Sequence, residues 1–493
     1  MPNAGPLILA IDQGTTSSKA LLVDSDGAIL ARGAAPVAIR FPRPGWVEQD
    51  AENIWSSVLA AVAQCLARAP HLTPHAVAIS NQRESVVAWS RTTGRPAGPV
   101  LGWQDARTAD VCAKLAAASA DDVRARTGLA IDAMFSAPKM RWLLDAAAAD
   151  GAEPGDIRLG TVDSWLVYRL TGGAAATVEA GNASRTLLFD LNALDWHPEL
   201  LDLFGIPRHT LGDISASDAR AGVTVGNGPL PAGLPIAAVL ADSHAALYTH
   251  QTLTGVALKA TYGTGSSVMA RIPALTPAPP GIATTLAWLT DAAAYAREGN
   301  ILASGSALDW TASLLGCTAE EAGGAYLTRI AAESSDGTVL VPAFSGLGAP
   351  HWDRDATAVL TGLTSTTGPQ QVARAALEAV AHQIVDVVEV MESDGATRAD
   401  VLNADGGATA SATLMQVQAD LLGRPVRVAD VRDASPVGAA LLAAAALGAD
   451  APAPPQSVDV VRPRLDEETR EQHREQWRAA VRRARLPLKE GSP

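Results

Sequence analysis

Two segments of the chain share one hydrophobic pattern: an apolar run, a turn rich in Gly, Thr and Ser, and a second apolar run. The parts are residues 7–11, 12–18 and 19–23 in the first segment and residues 258–261, 262–267 and 268–271 in the second. Each segment predicts a β-hairpin, because two strand-like runs flank a short polar turn. Chance can match five small residues (G-T-T-S-S and G-T-G-S-S), but the flanking runs favour a duplication at half the chain length.

The rest of the chain alternates strand-like and helix-like patterns. Asp50 opens a helix in which apolar side chains recur at Ile54, Val58 and Val62, close to the helical repeat. Further strands are predicted at residues 28–31, 77–80, 159–162, 236–240, 338–341 and 401–404. Further helices are predicted at residues 106–118, 137–149, 164–170, 370–392, 435–447 and 465–485, with a Pro-rich linker at 449–457. In the last helix, Trp477 and Val481 lie one turn apart as a narrow apolar contact, and we expect its arginines to form a solvated face. This alternation predicts an α/β fold whose sheets are covered by helices.

Composition narrows the functional classes. The 493 residues include 38 basic and 52 acidic side chains, for a net charge of −14, and 48% are hydrophobic. A chain of this kind can bury a large core, and its acidity argues against nucleic acid or a membrane surface as a partner. Cys65, Cys112 and Cys317 are far apart and match no metal-binding spacing, so we expect reduced thiols and a cytoplasmic protein.

Polar residues at the first hairpin turn are candidates for binding phosphate. Glycine lets backbone N–H groups approach a phosphate, Thr15, Thr16 and Ser17 add hydroxyls, and Lys19 adds a positive charge. Asp12 ends the preceding strand and offers carboxylate oxygens, which Mg²⁺ prefers as ligands. One such turn is weak evidence for a phosphate site, but the second turn, at residues 262–267, strengthens that evidence. The chain has no P-loop motif and no G-x-G-x-x-G motif after a strand, so P-loop enzymes and Rossmann dehydrogenases are not indicated.

Three further motifs follow predicted strands. Asp242 stands where a general base for phosphoryl transfer could lie, or it is only a helix N-cap. Arg83 and Glu84 suit the vicinal hydroxyls of a polyol, or they form an ordinary surface ion pair. Residues 405–407, Asp-Gly-Gly, suit a nucleotide, or they are an ordinary strand–helix turn.

Ordered motifs from residue 11 to about residue 447 resemble the FGGY carbohydrate kinases, and most closely the glycerol kinases among them. The matching stretches are residues 11–19, 44–50, 80–84, 135–142, 161–166, 182–186, 261–265, 342–350 and 362–378. The resemblance implies two duplicated actin-like (ribonuclease H-like) ATPase domains with an interdomain cleft, and ATP and Mg²⁺ as cofactors. We predict an N-terminal domain at residues 1–247, which binds the acceptor, and a C-terminal domain at 248–493, which binds the nucleotide.

The resemblance also implies roles for individual residues. Asp242 falls on the catalytic base and, with Asp12, near the metal. The acceptor pocket would contain Arg83, Glu84, Trp103, Met134, Asp242, Ser243 and Ser267. The nucleotide and its phosphates would contact Asp12, Thr15, Thr16, Ser17, Lys19, Gly263, Thr264, Gly305, Gly407 and Ser411.

Several positions depart from the glycerol kinase pattern. Met134 stands in place of a Tyr, Ser243 in place of a Gln and Ser267 in place of a Phe, which predicts a wider and more polar pocket. Ser411 replaces an Asn near the adenine base of the nucleotide. Gly233 replaces a basic residue of the family's fructose bisphosphate site, and regulation by fructose bisphosphate is therefore not supported. A W-x-D-x-R motif at residues 103–107 also resembles xylulokinases.

The sequence thus predicts a kinase that phosphorylates a terminal primary hydroxyl of glycerol or a related short polyol. A xylulokinase-type, tetritol or pentitol kinase remains an alternative. An actin-like ATPase with a conformational output is an alternative from another class, although Arg83, Glu84 and Trp103 favour a small-molecule pocket. We expect a polyol or sugar as the partner molecule, no nucleic acid, no membrane, and a homodimer.

Overall fold

The structure, a computed structural model, describes residues 5–153, 155–318, 321–428, 433–452 and 459–486. The elements of the first half are β1 (Ile8–Gln13), β2 (Ser17–Val23), β3 (Ile29–Pro36), β4 (Glu48–Gln49), α1 (Ala51–Arg68), β5 (Ala76–Asn81), β6 (Val86–Ser90), β7 (Val100–Leu101), α2 (Ala109–Thr127), α3 (Ser136–Ala149), β8 (Ile157–Thr161), α4 (Val162–Leu170), β9 (Val178–Glu179), α5 (Ala180–Ala183), β10 (Phe189–Asp190), β11 (Asp195–Trp196), α6 (Pro198–Phe204), β12 (Ile214–Ser215), β13 (Val223–Val225), β14 (Ala232–Ala241) and α7 (Asp242–Thr254).

The second half continues the alternation of strands and helices. Its elements are β15 (Leu258–Tyr262), β16 (Ser266–Arg271), β17 (Ala283–Leu289), β18 (Ala293–Ile301), α8 (Gly305–Leu314), α9 (Gly323–Ile330), β19 (Val339–Val341), β20 (Val359–Thr361), α10 (Pro369–Glu392), β21 (Leu402–Asp405), α11 (Ala412–Leu422), β22 (Val426–Val428), α12 (Ala434–Ala446), β23 (Asp459–Val461) and α13 (Glu467–Ala484).

Two large sheets repeat one arrangement. The first has the order β13-β14-β5-β1-β2-β3, in which β1, β2 and β3 are antiparallel neighbours and β5 and β14 run parallel to β1. The second has the order β17-β18-β16-β15-β21-β22-β23, with β15, β16 and β18 antiparallel and β21 and β22 parallel to β15. The repeat confirms the predicted duplication, and the fold is the predicted two-domain α/β architecture.

Helices cover both faces of the first sheet, which is why β1 is buried throughout. Alternate side chains of β1 point to opposite faces: Leu9 and Ile11 join the core beneath α1, whereas Ile8 and Ala10 join the core beneath α12. Helix α12 therefore returns from the second half of the chain to cover the first sheet, where it also packs against α7. A Cβ on Gly438 would lie 2.0 Å from the carbonyl oxygen of Ala245, so only glycine permits this close approach.

A smaller sheet with the order β4-β7-β6-β8 is inserted within the first domain. Among the described residues, no helix is both long enough and apolar enough to cross a bilayer. The apolar stretch from 437 to 449 instead supplies much of α12, which is largely buried. The three cysteines are free thiols, and Cys65 and Cys112 are buried.

The structure corrects some predicted element boundaries. The strand predicted at 28–31 extends to residue 36, since the alternation of exposed and buried positions continues along β3. The helix predicted at 106–118 begins at residue 109 and runs to residue 127, where Gly128 adopts a left-handed cap. Residues 453–457 of the predicted Pro-rich linker lie outside the described residues.

The last helix, α13, contains both a confirmed and a corrected prediction. Trp477 and Val481 are buried one turn apart, as their spacing predicts. The prediction that the arginines form a solvated face is wrong for Arg474, which is only 1% exposed. Its guanidinium donates to the carbonyl of His382 and pairs with Asp386, and these partners satisfy a charge that would otherwise be costly to bury.

Candidate active site

A cavity of about 240 Å³ lies where the two domains meet. The first domain contributes Thr15 from the first hairpin turn, the consecutive pair Arg83 and Glu84 after β5, and Asp242 and Ser243 at the start of α7. The inserted region adds two side chains, Trp103 and Met134. The second domain contributes the turn and strands around residues 261–267 and 300–302. We call this space the acceptor cavity.

A second cavity of about 610 Å³ lies within the second domain. Its wall includes the hairpin turn, the start of α8, the α9 helix and the segment after β21; the predicted residues among its lining are Gly263, Thr264, Gly305, Gly407 and Ser411. Gly263 and Thr264 also line the acceptor cavity, so the two spaces meet at this turn. We call the larger space the nucleotide cavity.

The close packing of the turn against α8 shapes the nucleotide cavity. The backbone N–H of Gly305 donates to the carbonyl of Gly263 at 2.9 Å, and that of Ser306 donates to the carbonyl of Thr264 at 3.0 Å. A Cβ on Gly305 would lie 2.6 Å from the Gly263 carbonyl oxygen. A side chain at position 305 would therefore press on the turn, and the wall of the cavity at this point is backbone.

Arg83 is the centre of a buried charge network at the acceptor cavity. Its Nε lies 3.2 Å from an Asp242 oxygen, and its two terminal nitrogens bind both oxygens of Glu298, at 2.7 and 2.8 Å. Glu298 belongs to β18 of the second domain, whereas Arg83 and Asp242 belong to the first. The alternative reading of Arg83 and Glu84 as a surface pair is thus excluded, since their side chains are only 7% and 5% exposed.

A second arginine completes the network. Arg185 Nε donates to Glu84 at 2.7 Å, and its Nη1 lies 2.9 Å from Glu298. Burial alone would raise the pKa of Glu298, but the positive charges of Arg185 and Arg83 lower it well below its usual range. Glu298 therefore stays ionised and holds both arginines in place.

The neighbouring groups show the effect of this environment. Burial raises the pKa of Asp242, partly offset by the Arg83 charge. Burial, together with Arg83, lowers the pKa of His244 well below its usual value, so this imidazole is neutral. Neither ring nitrogen of His244 has a hydrogen-bond partner among the described residues.

Backbone strain and a tryptophan position the acceptor wall. Glu84 has a left-handed backbone with φ of 60°, a costly conformation for a residue with a side chain. Its carbonyl accepts a hydrogen bond from Ser136 Oγ at 3.1 Å. Trp103 donates through Nε1 to Thr15 Oγ at 3.0 Å, which joins the inserted region to the first hairpin turn.

A buried lysine supports the same wall from behind. Lys139 is fully buried and donates to the carbonyls of Gly102 and Met134 at 3.1 and 2.6 Å. It therefore ties together the two segments that carry Trp103 and Met134. Burial lowers the pKa of this ammonium to about 8.

Asp12 lies at the end of β1 and accepts a hydrogen bond from Ser80 Oγ. Burial raises the pKa of the Asp12 carboxyl to about 6, and the Asp242 charge adds to the increase while Lys19 opposes it. Among the described residues, no three His, Cys, Asp or Glu side chains are grouped so that they could hold a metal by themselves.

The remaining predicted residues lie outside the two cavities. Thr16 and Ser17 contribute backbone carbonyls that accept from Val37 and Gly14, and their side chains line neither cavity. Lys19 Nζ donates to Asp433 at 2.8 Å and does not line either cavity.

The Asp-Gly-Gly motif divides between two environments. Asp405 does not line the nucleotide cavity, because its carboxylate is buried and lies 2.6 Å from His250 Nε2. Gly407, two residues later, does line it.

Among the residues at or behind the acceptor cavity that were not predicted are Lys139, Arg185, Glu298 and Asn300. Lys139 and Arg185 lie in stretches that carry the family resemblance, but nothing in the sequence alone gives them a role. Glu298 and Asn300 interrupt a mainly apolar strand, and polar residues within such a strand are a signal that could have been used.

Comparisons with known proteins identify the family of the chain. The model of the FGGY family of carbohydrate kinases, N-terminal domain, matches residues 7–248, and that of the C-terminal domain matches residues 258–447. The chain belongs to the FGGY family of carbohydrate kinases. It is therefore a phosphotransferase that uses ATP and an alcohol group of a polyol or sugar as acceptor, and the predicted family and enzyme class are confirmed.

Individual FGGY relatives extend over nearly the whole chain. An apulose kinase of Pectobacterium atrosepticum is 42% identical and covers 98% of this chain and 99% of its own. A glycerol kinase of Alkalilimnicola ehrlichii is also 42% identical, with coverages of 97% and 98%. The structure of Plasmodium falciparum glycerol kinase with ADP has a TM-score of 0.87 at 27% identity, with coverages of 98% and 99%. The structure of xylulose kinase from Rhodospirillum rubrum has a TM-score of 0.83 at 26% identity, with coverages of 96% and 98%.

Proposed function

We propose that this FGGY kinase transfers the γ-phosphoryl group of ATP to a terminal primary hydroxyl of glycerol or a related short polyol or ketose. One observation carries the proposal: the acceptor cavity, which contains Asp242 and Arg83, meets the nucleotide cavity at Gly263 and Thr264. A phosphoryl group at this junction would lie between the donor and the acceptor.

Asp242 is the candidate catalytic base. Its carboxylate would accept the proton of the attacking hydroxyl, and its raised pKa brings its basicity closer to neutral pH. Arg83 and Glu84 would hold the other hydroxyls of the acceptor, Arg83 as donor and Glu84 as acceptor. The buried partners of Arg83 fix its orientation, so little reorganisation is needed when the acceptor binds.

The phosphates would be bound mainly by backbone groups and hydroxyls. Thr264 brings its backbone N–H group and its hydroxyl to the nucleotide cavity, and Thr15 offers a hydroxyl from the opposite domain. Gly263 and Gly305 have no side chains and would let the phosphates approach the backbone closely. Lys19, Thr16 and Ser17 remain predicted contacts, and Ser411 with Gly407 would lie near the nucleoside. Closure of the domains would exclude water and suppress hydrolysis of ATP.

Asp12 and Asp242 are the candidate residues for Mg²⁺. The site fits this cation, because Mg²⁺ is usually held by one or two carboxylates together with waters and substrate phosphates. The cation would neutralise charge on the phosphates. Asp12 is poised for such a role, since burial leaves its carboxylate poorly solvated in the free protein.

The Asp242→Asn variant tests the proposal. We expect kcat to fall by three or more decades, as for removal of a base in phosphoryl transfer, while the affinity for ADP stays within threefold of the parent. An ADP-release assay and calorimetric titration with ADP measure the two quantities. A control variant, Asp450→Asn, changes an exposed carboxylate that lines neither cavity. A near-normal kcat in Asp242→Asn would contradict the assignment.

Two broader expectations stay predictions. Light scattering of the purified protein tests the homodimer, and fractionation of the producing cells tests the cytoplasmic location.

An ATPase with a conformational output would release ADP at the same rate with and without a polyol. The kinase that we propose requires the acceptor for rapid release.

A further inference from the structure

One sheet face of the second domain carries three polar side chains at the acceptor cavity, and two of them, Ser267 and Asn300, line it. Ser267 of β16 and Asn300 of β18 are opposite partners in an antiparallel pair. Ser267 Oγ donates to Glu298 at 3.1 Å, and Glu298 precedes Asn300 by two positions on the same strand. Because side chains alternate along a strand and directly opposed partners share a face, all three side chains point to the side of the sheet where Arg83 lies.

Asn300 differs from its two neighbours because its side chain is uncommitted. Glu298 is engaged by two arginines, and Ser267 is engaged by Glu298. The hydrogen bonds within the described residues include the Asn300 backbone carbonyl, which accepts from Ala349 at 2.9 Å, but none to its side-chain amide. A half-buried amide on a cavity wall, with two donors and an acceptor available, is suited to bind a ligand hydroxyl or carbonyl oxygen.

The first-domain wall already provides for a three-carbon acceptor. Asp242 would receive the reacting hydroxyl, and Arg83 and Glu84 would bind two more. Glycerol has three hydroxyls, so this set leaves the opposite wall without a partner. Two small side chains, Ser243 and Ser267, line the cavity and leave room for further atoms.

We propose that Asn300 is a specificity-determining residue that selects an open-chain polyol or ketose of four or five carbons over glycerol. Its amide hydrogen-bonds an oxygen on the carbon beyond the third, counted from the phosphorylated end. This inference rests on the proposed kinase function and adds the acceptor's length to it. A site built to pair an additional hydroxyl disfavours an analogue that lacks it, because the amide then loses its partner.

The first measurement compares acceptors with the parent protein. ADP release is followed with glycerol, erythritol, threitol, ribitol, xylitol, arabinitol, xylulose, ribulose and the branched ketose apulose. We expect kcat/KM for at least one acceptor with more than three carbons to exceed that for glycerol by about tenfold or more.

The second measurement removes the amide. In Asn300→Ala, the ratio of kcat/KM for the preferred acceptor to that for glycerol should fall about tenfold, chiefly through KM of the longer acceptor. Asn300→Ser provides a second variant with a smaller polar side chain should the first fail to fold. The matched control Asn192→Ala removes an exposed amide that does not line the cavity and should leave this ratio unchanged.

The outcomes distinguish failure of the inference about Asn300 from failure of the proposed kinase function. A preference of the parent for glycerol over every longer acceptor overturns the inference while leaving the kinase function intact. The same holds if the ratio in folded Asn300→Ala equals that of the parent. If no polyol or ketose stimulates ADP release at all, the proposed function itself fails.

Discussion

The two cavities meet at one turn but are lined by different kinds of chemical groups. The acceptor cavity, about 240 Å³, is bounded by charged side chains whose partners come from both domains. The nucleotide cavity, about 610 Å³, is bounded largely by small residues and backbone within one domain. Arg83 and Glu298 typify the first construction, and Gly263 and Gly305 typify the second.

The two cavities should therefore respond differently to mutation. Backbone N–H groups bind phosphate oxygens whatever side chains surround them, so the nucleotide cavity is sensitive mainly to lost space. A buried charge network depends on every member, because removal of one leaves its partners uncompensated. Mutations should therefore separate the kinetic constants of the two substrates.

Among the changes that compare the two cavities, the largest effect is expected from Glu298→Gln. The variant leaves Arg83 and Arg185 without their shared anion, and breaking a buried pair in this way costs about 3–5 kcal/mol. We expect kcat/KM for the acceptor to fall at least about a hundredfold, mainly through KM, while KM for ATP changes less than threefold. Steady-state kinetics with each substrate varied in turn provides the measurement.

A matched carboxylate keeps this result interpretable. Glu199→Gln removes an exposed partner of Arg126 and should change neither KM. If Glu298→Gln raised the two KM values equally, the network would serve general stability and not the acceptor, and the contrast between the cavities would be lost.

A smaller effect, about tenfold, is expected from pH. Because the pKa of Asp12 is about 6, its carboxylate is mostly ionised at pH 7 and mostly protonated at pH 5, where it would bind a cation poorly. We expect kcat/KM measured at limiting Mg²⁺ to fall about tenfold over this range, and less at saturating Mg²⁺. A profile independent of Mg²⁺ would argue against Asp12 as a cation ligand.

Thermal stability gives an independent check on the same carboxyl. A raised pKa means that the folded state binds the proton more tightly than the unfolded chain, so Asp12 lowers the free energy of unfolding as pH rises from about 4 to about 6. Asp12→Asn should therefore melt at a higher temperature than the parent at pH 7. An equal or lower melting temperature would contradict the raised pKa.

The smallest effect, about fivefold, is expected from Gly305→Ala. The added methyl group would press on the Gly263 carbonyl and displace the turn from α8. KM for ATP should rise about fivefold, and KM for the acceptor should stay within twofold. Gly155→Ala is the control, since its Cβ meets nothing within 4 Å. A larger effect on the acceptor than on ATP would show that the shared turn serves chiefly the acceptor cavity.

Much of the fold could be predicted from local pattern. The two hairpins, the helix after Asp50 and the strand before Asp242 follow from periodicity and turn residues. The extent of β3 and α2 could not, because the end of each element depends on contacts or caps that a local pattern reports poorly. The return of α12 to the first sheet was also out of reach, since a buried helical pattern does not say which sheet it covers.

The candidate site divides in the same way. Arg83, Asp242 and Gly263 follow strand ends, where ligands of open sheets bind, so their position made them candidates and the family resemblance supplied their predicted roles. Glu298 and Arg185 come from distant parts of the chain and meet only across the domain interface. A local pattern also could not show that Lys19 is paired with Asp433, because that contact joins residues 414 positions apart.

The course of α12 bears on how the enzyme could be divided or recombined. Cutting the gene between the two family segments would separate the first sheet from the helix that covers one of its faces, and each fragment would expose apolar surface. The predicted boundary at 247/248 would also break α7, against which α12 packs. A chimaera of two family members would therefore best exchange residues 434–446 together with residues 5–254, as a single unit that is discontinuous in sequence.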